Sequence, residues 1–279
     1  MATESRAAGT VQHLDHFVLP VMAPERAEKF YTEILGARVL MKQTDPSMTR
    51  IFLKLGENHI GLFSQTKATI PKRDDVDSYP RCAFVVPKND FDKIAGKVRS
   101  TSPLVRDIAA AESSQACGRL PGVVFTDSEG NLVELFPSER EKSARVHHLH
   151  FDTTNLEESI RFYTDILNLK LLQRAGGVAV VGIPADQSIV LHQVEALSEV
   201  TQTVYRGRHF AFYVTDDDFH AIVDRLHQRG IEERDEHGER EGRRPGQLGT
   251  YFKDPSGFRL QIVNQNSAEF SRHAAARAA

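Results

Sequence analysis

Cysteine is nearly absent from the 279 residues: Cys82 and Cys117 stand alone, far apart and in no metal-like spacing. That excludes a disulfide framework and a cysteine-built zinc site, and a reducing, cytoplasmic setting is the expectation. Charge of one sign is missing as well, since 35 Lys and Arg face 38 Asp and Glu for a formal charge of −3. Nucleic acid is therefore not an expected partner. No apolar run reaches the ~18 residues of a membrane span, and the first ten residues, with Glu4 and Arg6, lack a signal peptide's apolar stretch. No membrane partner is expected. Also missing are a G-x-G-x-x-G after a strand, a phosphate-cradling loop and a nucleophile elbow, which removes support for nucleotide-dependent and nucleophilic mechanisms.

What is present is ordinary globular composition, 40% hydrophobic and 26% charged, arranged in a repeat. FYTEIL from Phe30 returns 132 residues later as FYTDIL from Phe162. Upstream, HFVLPV from His16 matches HFDTTN from His150 at a spacing of 134, a two-residue gap. RCAFVVPKNDF from Arg81 pairs with HFAFYVTDDDF from His209, and GVVFTDSEGNLVELF from Gly122 with GTYFKDPSGFRLQIV from Gly249, both keeping a D-x-x-G hairpin turn.

The repeat divides the chain into an N-terminal domain at 12–138 and a C-terminal domain at 146–265, joined by the charged stretch 140–145 and followed by an alanine-rich tail at 266–279. Each half holds two units, opened by His16 and Arg81 and by His150 and His209. Each unit reads strand, amphipathic helix, then further strands. Helices rest on the spacing of Ala27, Phe30, Tyr31, Ile34 and Leu35, of Ile160, Phe162, Tyr163, Ile166 and Leu167, and of Phe219, Ile222, Val223 and Leu226 up to Gly230. Pro24 suits a first helical turn. The expected fold is α+β, four βαβββ modules paired into two domains.

A strand opening on His, then FYT-acid-IL, then a D-[SP]-x-G hairpin leading to a polar position on the last strand resembles the vicinal oxygen chelate superfamily. That group contains glyoxalase I, bleomycin-resistance proteins and type I extradiol dioxygenases. The likeness covers nearly the whole chain, and its four-module count is similar to the two-domain extradiol enzymes. It implies a metal-dependent ring-cleavage dioxygenase that takes a small catechol-like aromatic and dioxygen, with Fe(II), or Mn(II), or no metal at all. It leaves assembly into homo-oligomers open.

Mapped by this resemblance, the ligands are His150, His209 and Gln261. Strand alternation agrees that these side chains can face a cleft: His209, Ala211 and Tyr213 oppose Phe210, Phe212 and Val214, and Gln261 opposes Leu260 and Ile262. Gln261 departs from the two-histidine, one-carboxylate pattern of Fe(II) oxygenases, leaving the dication's charge uncompensated and favouring an anionic chelating substrate. Tyr251 matches the substrate-binding tyrosine of the extradiol enzymes. His192 and His237 are the candidates for proton transfer, and Arg243 and Arg244 for holding an anionic substrate. In the first half, His16, His59 and Glu134 form an alternative metal set, because Arg81 stands where His209 stands in the second half and pairs more naturally with Glu134. Gly61 occupies the place of a glyoxalase glutamate. Two rival readings remain: a metal-free protein that sequesters a small ligand, and a glyoxalase-type isomerase or lyase.

Overall fold

The computed structural model describes residues 9–46, 48–64, 75–77, 80–110, 112, 119–197, 208–235 and 249–264. The first module runs β1 (His13–Val21), α1 (Pro24–Leu35), β2 (Arg38–Asp45), β3 (Met48–Leu55) and β4 (Asn58–Ser64). The second holds β5 (Arg81–Pro87), α2 (Lys88–Thr101), β6 (Val105–Ile108), β7 (Gly122–Thr126) and β8 (Leu132–Ser138). In the third, β9 (Arg145–Thr153) leads to α3 (Leu156–Arg161), a π-helical turn over Phe162–Ile166, then β10 (Lys170–Ala175), β11 (Val178–Ile183) and β12 (Gln187–Gln193). The fourth has β13 (His209–Tyr213), α4 (Asp216–Gln228), β14 (Gly249–Lys253) and β15 (Arg259–Val263) among the described residues.

Local chemistry sets the helix ends. Pro24 occupies the first turn of α1, where its missing N–H costs nothing, and Gly36 closes it at φ 70°. Asn155 and Thr215 cap α3 and α4 by accepting the backbone N–H groups of Glu158 and Asp218.

The modules do not pair half by half. The first and fourth build a seven-stranded sheet, β14-β15-β13-β1-β4-β3-β2, and the second and third an eight-stranded one, β10-β11-β12-β9-β5-β8-β7-β6. At each junction the modules' first strands run antiparallel, β1 with β13 and β5 with β9. The inner faces share one hydrophobic core, where Phe17 meets Phe84 at 6.2 Å between ring centroids and Phe151 meets Phe210 at 4.8 Å. Burying each such ring is worth roughly 1.5–3 kcal/mol, so the core holds the two sheets together across both halves. Gln187 adds a polar tie, accepting the Leu14 N–H at 3.0 Å and donating to Asn58 Oδ1 at 3.1 Å.

Strands β1 and β9 each carry a bulge, with Asp15 and His147 as the extra residues. The consequence is visible in the core: Leu14 and Phe17 both point inward, as do Val146 and Leu149. Unbroken alternation would have put His16 on the face of Leu14. The bulge instead turns it outward, as bulges beside functional sites commonly do. His16 pairs with His59 on β4, and His148 with Ser188 on β12. The 132-residue offset therefore holds without a gap from the first strand through the helix, and the counterpart of His16 is His148, while His150 corresponds to Val18.

Candidate functional site

On the outer face of the seven-stranded sheet, Gln261, Ala211, His16 and His59 lie side by side in one row. His209 stands in the next row, against Val18, which faces Gly61. Ala211 is the small, fully buried residue between Gln261 and His16. The Nε2 atoms of His16 and His209 converge to 3.3 Å. Gln261 Oε1 is buried without a hydrogen-bond partner. On the far side of the His16 ring, Nδ1 lies 2.7 Å from Asp15 Oδ2.

Aromatic rings wall this face. Phe52 lies edge-on to His16 at 6.3 Å and to Phe63 at 5.4 Å, and Tyr251 stands edge-on to His209 at 5.3 Å. The guanidinium of Arg259 covers the Tyr251 ring at 4.1 Å. Burial pushes the His59 imidazole down to about 4, so it is neutral at physiological pH, and its Nδ1 has no partner. Burial opposes ionisation of Asp15, but the hydrogen bond and charge of His16 outweigh it and hold the carboxyl below its ordinary range.

The eight-stranded sheet carries the related arrangement. Glu134, Ala83, His148 and Ser188 form one row, and Arg81, His150 and Val190 stand in the next. Position by position, Glu134 answers Gln261, Ala83 answers Ala211, His148 answers His16 and Arg81 answers His209. Ligand atoms of Glu134, His148 and His150 lie within 4.8 Å of one another, a group that could hold a metal ion. Arg81 already occupies the carboxylate, however, with its Nη1 2.6 Å from Glu134 Oε1, and both side chains are at most 4% exposed. Glu134 Oε2 is 3.2 Å from His148 Nε2, and Oε1 is 3.5 Å from His150 Nδ1. Burial works against the Glu134 charge, yet these two histidines and Arg81 hold its carboxyl well below the usual range. Burial pushes His150 down to about 4. The cluster is charge-balanced as it stands, and a dication would meet the guanidinium head-on.

Module pairing redistributes the residues expected from sequence. His209, Gln261 and Tyr251 share one face, whereas His150 lies in the other sheet, and its place beside His209 is taken by His16. The alternative set is split in the same way, with His16 and His59 in one sheet and Glu134 in the other. His192 lies on the eight-stranded sheet, with its Nδ1 3.4 Å from Asp152 Oδ1, and so does not share a face with Tyr251. His237, Arg243 and Arg244, like the tail, lie outside the described residues. Asp15 was missed because alternation along a strand carries no sign of a bulge. The gapless 132-residue offset, had it been extended to the first strand, was the signal that marked it together with His147.

Comparison with known proteins places this geometry. A solved structure of glyoxalase I from Zea mays is similar with a TM-score of 0.68 and 20% identity, covering 94% of this chain and 95% of that one. A candidate dioxygenase from Bacillus subtilis subsp. subtilis str. 168 gives 0.70 at 15% identity, covering 92% and 86%. At these identities the likeness is one of fold. In sequence, the metallothiol transferase FosB of Lysinibacillus sphaericus (strain C3-41) is 25% identical over 126 residues, 45% of this chain and 82% of that protein. No helix among the described residues is long and apolar enough to cross a membrane. The family model for glyoxalases, bleomycin-resistance proteins and dioxygenases matches residues 13–135 and 145–262, the same two stretches that carry the repeated modules. With both the modules and their sheets accounted for, the chain belongs to the Glyoxalase/Bleomycin resistance protein/Dioxygenase superfamily, most of whose members are enzymes that work through a divalent metal on small molecules.

Proposed function

We propose that the chain is a non-haem, Fe(II)-dependent ring-cleaving dioxygenase of the extradiol type, acting on a catechol-like aromatic at the outer face of the seven-stranded sheet. The observation that carries this reading is the convergence of His16 Nε2 and His209 Nε2 to 3.3 Å beside the partnerless, buried Oε1 of Gln261. Three donors on one face leave the opposite coordination positions open to substrate and dioxygen. An iron(II) ion held there would neutralise a chelating catecholate and bring dioxygen's chemistry beside the ring carbon next to the hydroxyls.

The chain's own residues supply the rest. Two imidazoles and an amide bring no negative charge to a bound dication, so the site would attract a doubly deprotonated substrate more strongly than a carboxylate-bearing site would. Phe52 and Phe63 offer an aromatic ring an apolar, edge-to-face wall that also limits water. We assign Tyr251 to donate a hydrogen bond to the substrate, with Arg259 stacked on its ring to hold it in place. His59, neutral and next to His16 in the row, is the imidazole we assign to accept a hydrogen bond from a substrate hydroxyl. A glyoxalase-type reaction is disfavoured at Gly61, which offers no carboxylate and where an added Cβ would stand 2.7 Å from Val18 Cγ2, so that a side chain there requires its neighbours to shift.

The test is oxygen uptake by full-length protein loaded anaerobically with Fe(II) and offered a panel of substituted catechols. Oxygen consumption with yellow ring-fission products, abolished in His209→Ala, is expected. Absence of uptake across the panel contradicts the reading.

A further inference from the structure

We propose that Asp15 is a positioning residue that fixes His16 in the tautomer able to bind a metal, and that in the other sheet, where His147 stands in place of Asp15, Glu134 imposes the opposite tautomer on His148. The inference rests on the metal site proposed above. Its first half concerns the protein before any metal binds.

The bulge of β1 inserts Asp15 between Leu14 and His16 and lays its carboxylate alongside the next side chain, with Oδ2 2.7 Å from His16 Nδ1. Asp15 is 3% exposed, and its second oxygen, Oδ1, is buried with no hydrogen-bond partner. An ionised carboxylate only accepts, and a neutral imidazole has one N–H to give. The proton of His16 therefore sits on Nδ1, and Nε2 presents its lone pair, which is the atom that faces His209. A carboxylate behind a ligating histidine, setting its tautomer and raising its basicity, is a recurrent device in metal sites.

The second copy of the bulge provides an internal comparison. His147, at the position of Asp15, also touches Nδ1 of the following histidine, with Nδ1 to Nδ1 3.1 Å apart. An imidazole can give as well as take a proton there. On the other side of the His148 ring, Nε2 faces Glu134 Oε2 at 3.2 Å, and a carboxylate requires a donor. His148 thus carries its proton on Nε2 and accepts from His147. The two pseudo-equivalent histidines are held in opposite tautomers by a carboxylate on opposite sides of the ring: Asp15 behind His16, whose Nε2 lone pair faces His209, and Glu134, which Arg81 also holds, in front of His148.

The experiment uses full-length, metal-free protein labelled with 15N at histidine, with tautomers read from long-range proton–nitrogen correlations and assigned by single His→Gln variants. Wild type is expected to show His16 protonated at Nδ1 and His148 at Nε2. Asp15→Asn, of the same size, can donate to Nδ1, so it should release His16 toward the Nε2–H form and leave His148 unchanged. Asp15→Glu should restore part of the wild-type signal. In Mn(II) titrations Asp15→Asn should bind 10- to 100-fold more weakly than wild type. A His16 tautomer that is Nε2–H in wild type, or that is unchanged in Asp15→Asn with unchanged Mn(II) affinity, overturns the proposal. If wild type binds no Mn(II) through His16, the metal reading fails while the tautomer result still stands or falls on its own spectra.

Discussion

The hydroxyl of Tyr31 donates to Asp127 Oδ2 at 2.8 Å, and that of Tyr163 donates to Asp254 Oδ2 at the same distance. These bonds join the two most recognisable marks of the repeat, the tyrosine of FYT-acid-IL and the aspartate of the D-x-x-G turn. Tyr31 belongs to the seven-stranded sheet's first module and Asp127 to the eight-stranded sheet, while Tyr163 and Asp254 cross in the opposite direction. Each half of the chain therefore contributes one buried bond that clamps the sheets together, even though its own modules pair elsewhere.

Removing either hydroxyl leaves a buried carboxylate short of a donor. Tyr31→Phe and Tyr163→Phe should each cost about 1–3 kcal/mol of unfolding free energy, measured by urea titration. A change within error of zero in both would mean that the clamps do not hold the sheets.

Asp254 also makes stability depend on pH. Burial pushes its carboxyl from 3.8 up to about 7, against the hydrogen bonds from Tyr163 and from the backbone of the turn. A folded-state value above the unfolded one means that the folded protein binds the proton more tightly. The contribution is fully present below about pH 4 and is lost as the pH rises through about 7. Asp254→Asn should flatten this component of the unfolding free energy between pH 5 and pH 8, and an unchanged pH profile would count against it.

Arg81 is expected to be what closes the second cluster. Arg81→His supplies an imidazole opposite His148 and Glu134 and removes the guanidinium, so metal stoichiometry should rise from one equivalent to two, read by metal analysis after equilibrium dialysis. Arg81→Met, which leaves the Glu134 carboxylate buried without a fixed cation, should destabilise the fold by about 3–5 kcal/mol. A stoichiometry of one in Arg81→His would show that the guanidinium is not what keeps metal out.

Gln261→Glu adds an anion where the structure leaves a neutral oxygen unpartnered. Metal affinity should rise by at least about tenfold, ~1.4 kcal/mol, while preference for anionic substrates weakens. Equal affinity in wild type and Gln261→Glu would remove Gln261 from the ligand set.

Much of this architecture is legible in the sequence. The helical spacing around Phe30 and Phe162 and the alternation of Phe210, Phe212, Leu260 and Ile262 gave the modules and their inward faces, and they put His209 and Gln261 on one surface. Two features leave no such trace. Every module opens with a strand of similar alternation, so nothing local tells β1 to pair with β13 instead of β5; the shared core and the tie from Gln187 to Leu14 and Asn58 are long-range. Matching His16 to His150 follows their shared His-Phe pair across a two-residue gap, whereas the gapless offset makes His148 the counterpart; and a bulge adds one residue without disturbing composition. The same blindness hid Asp15.

The central claim is that metal binds at His16 and His209 and not at His148 and Glu134. Anaerobic Fe(II) binding to wild type, His16→Ala and His148→Ala tests it most directly. The account predicts one equivalent in wild type, its loss in His16→Ala and its retention in His148→Ala. Retention in His16→Ala together with loss in His148→Ala would contradict it and move the site to the eight-stranded sheet.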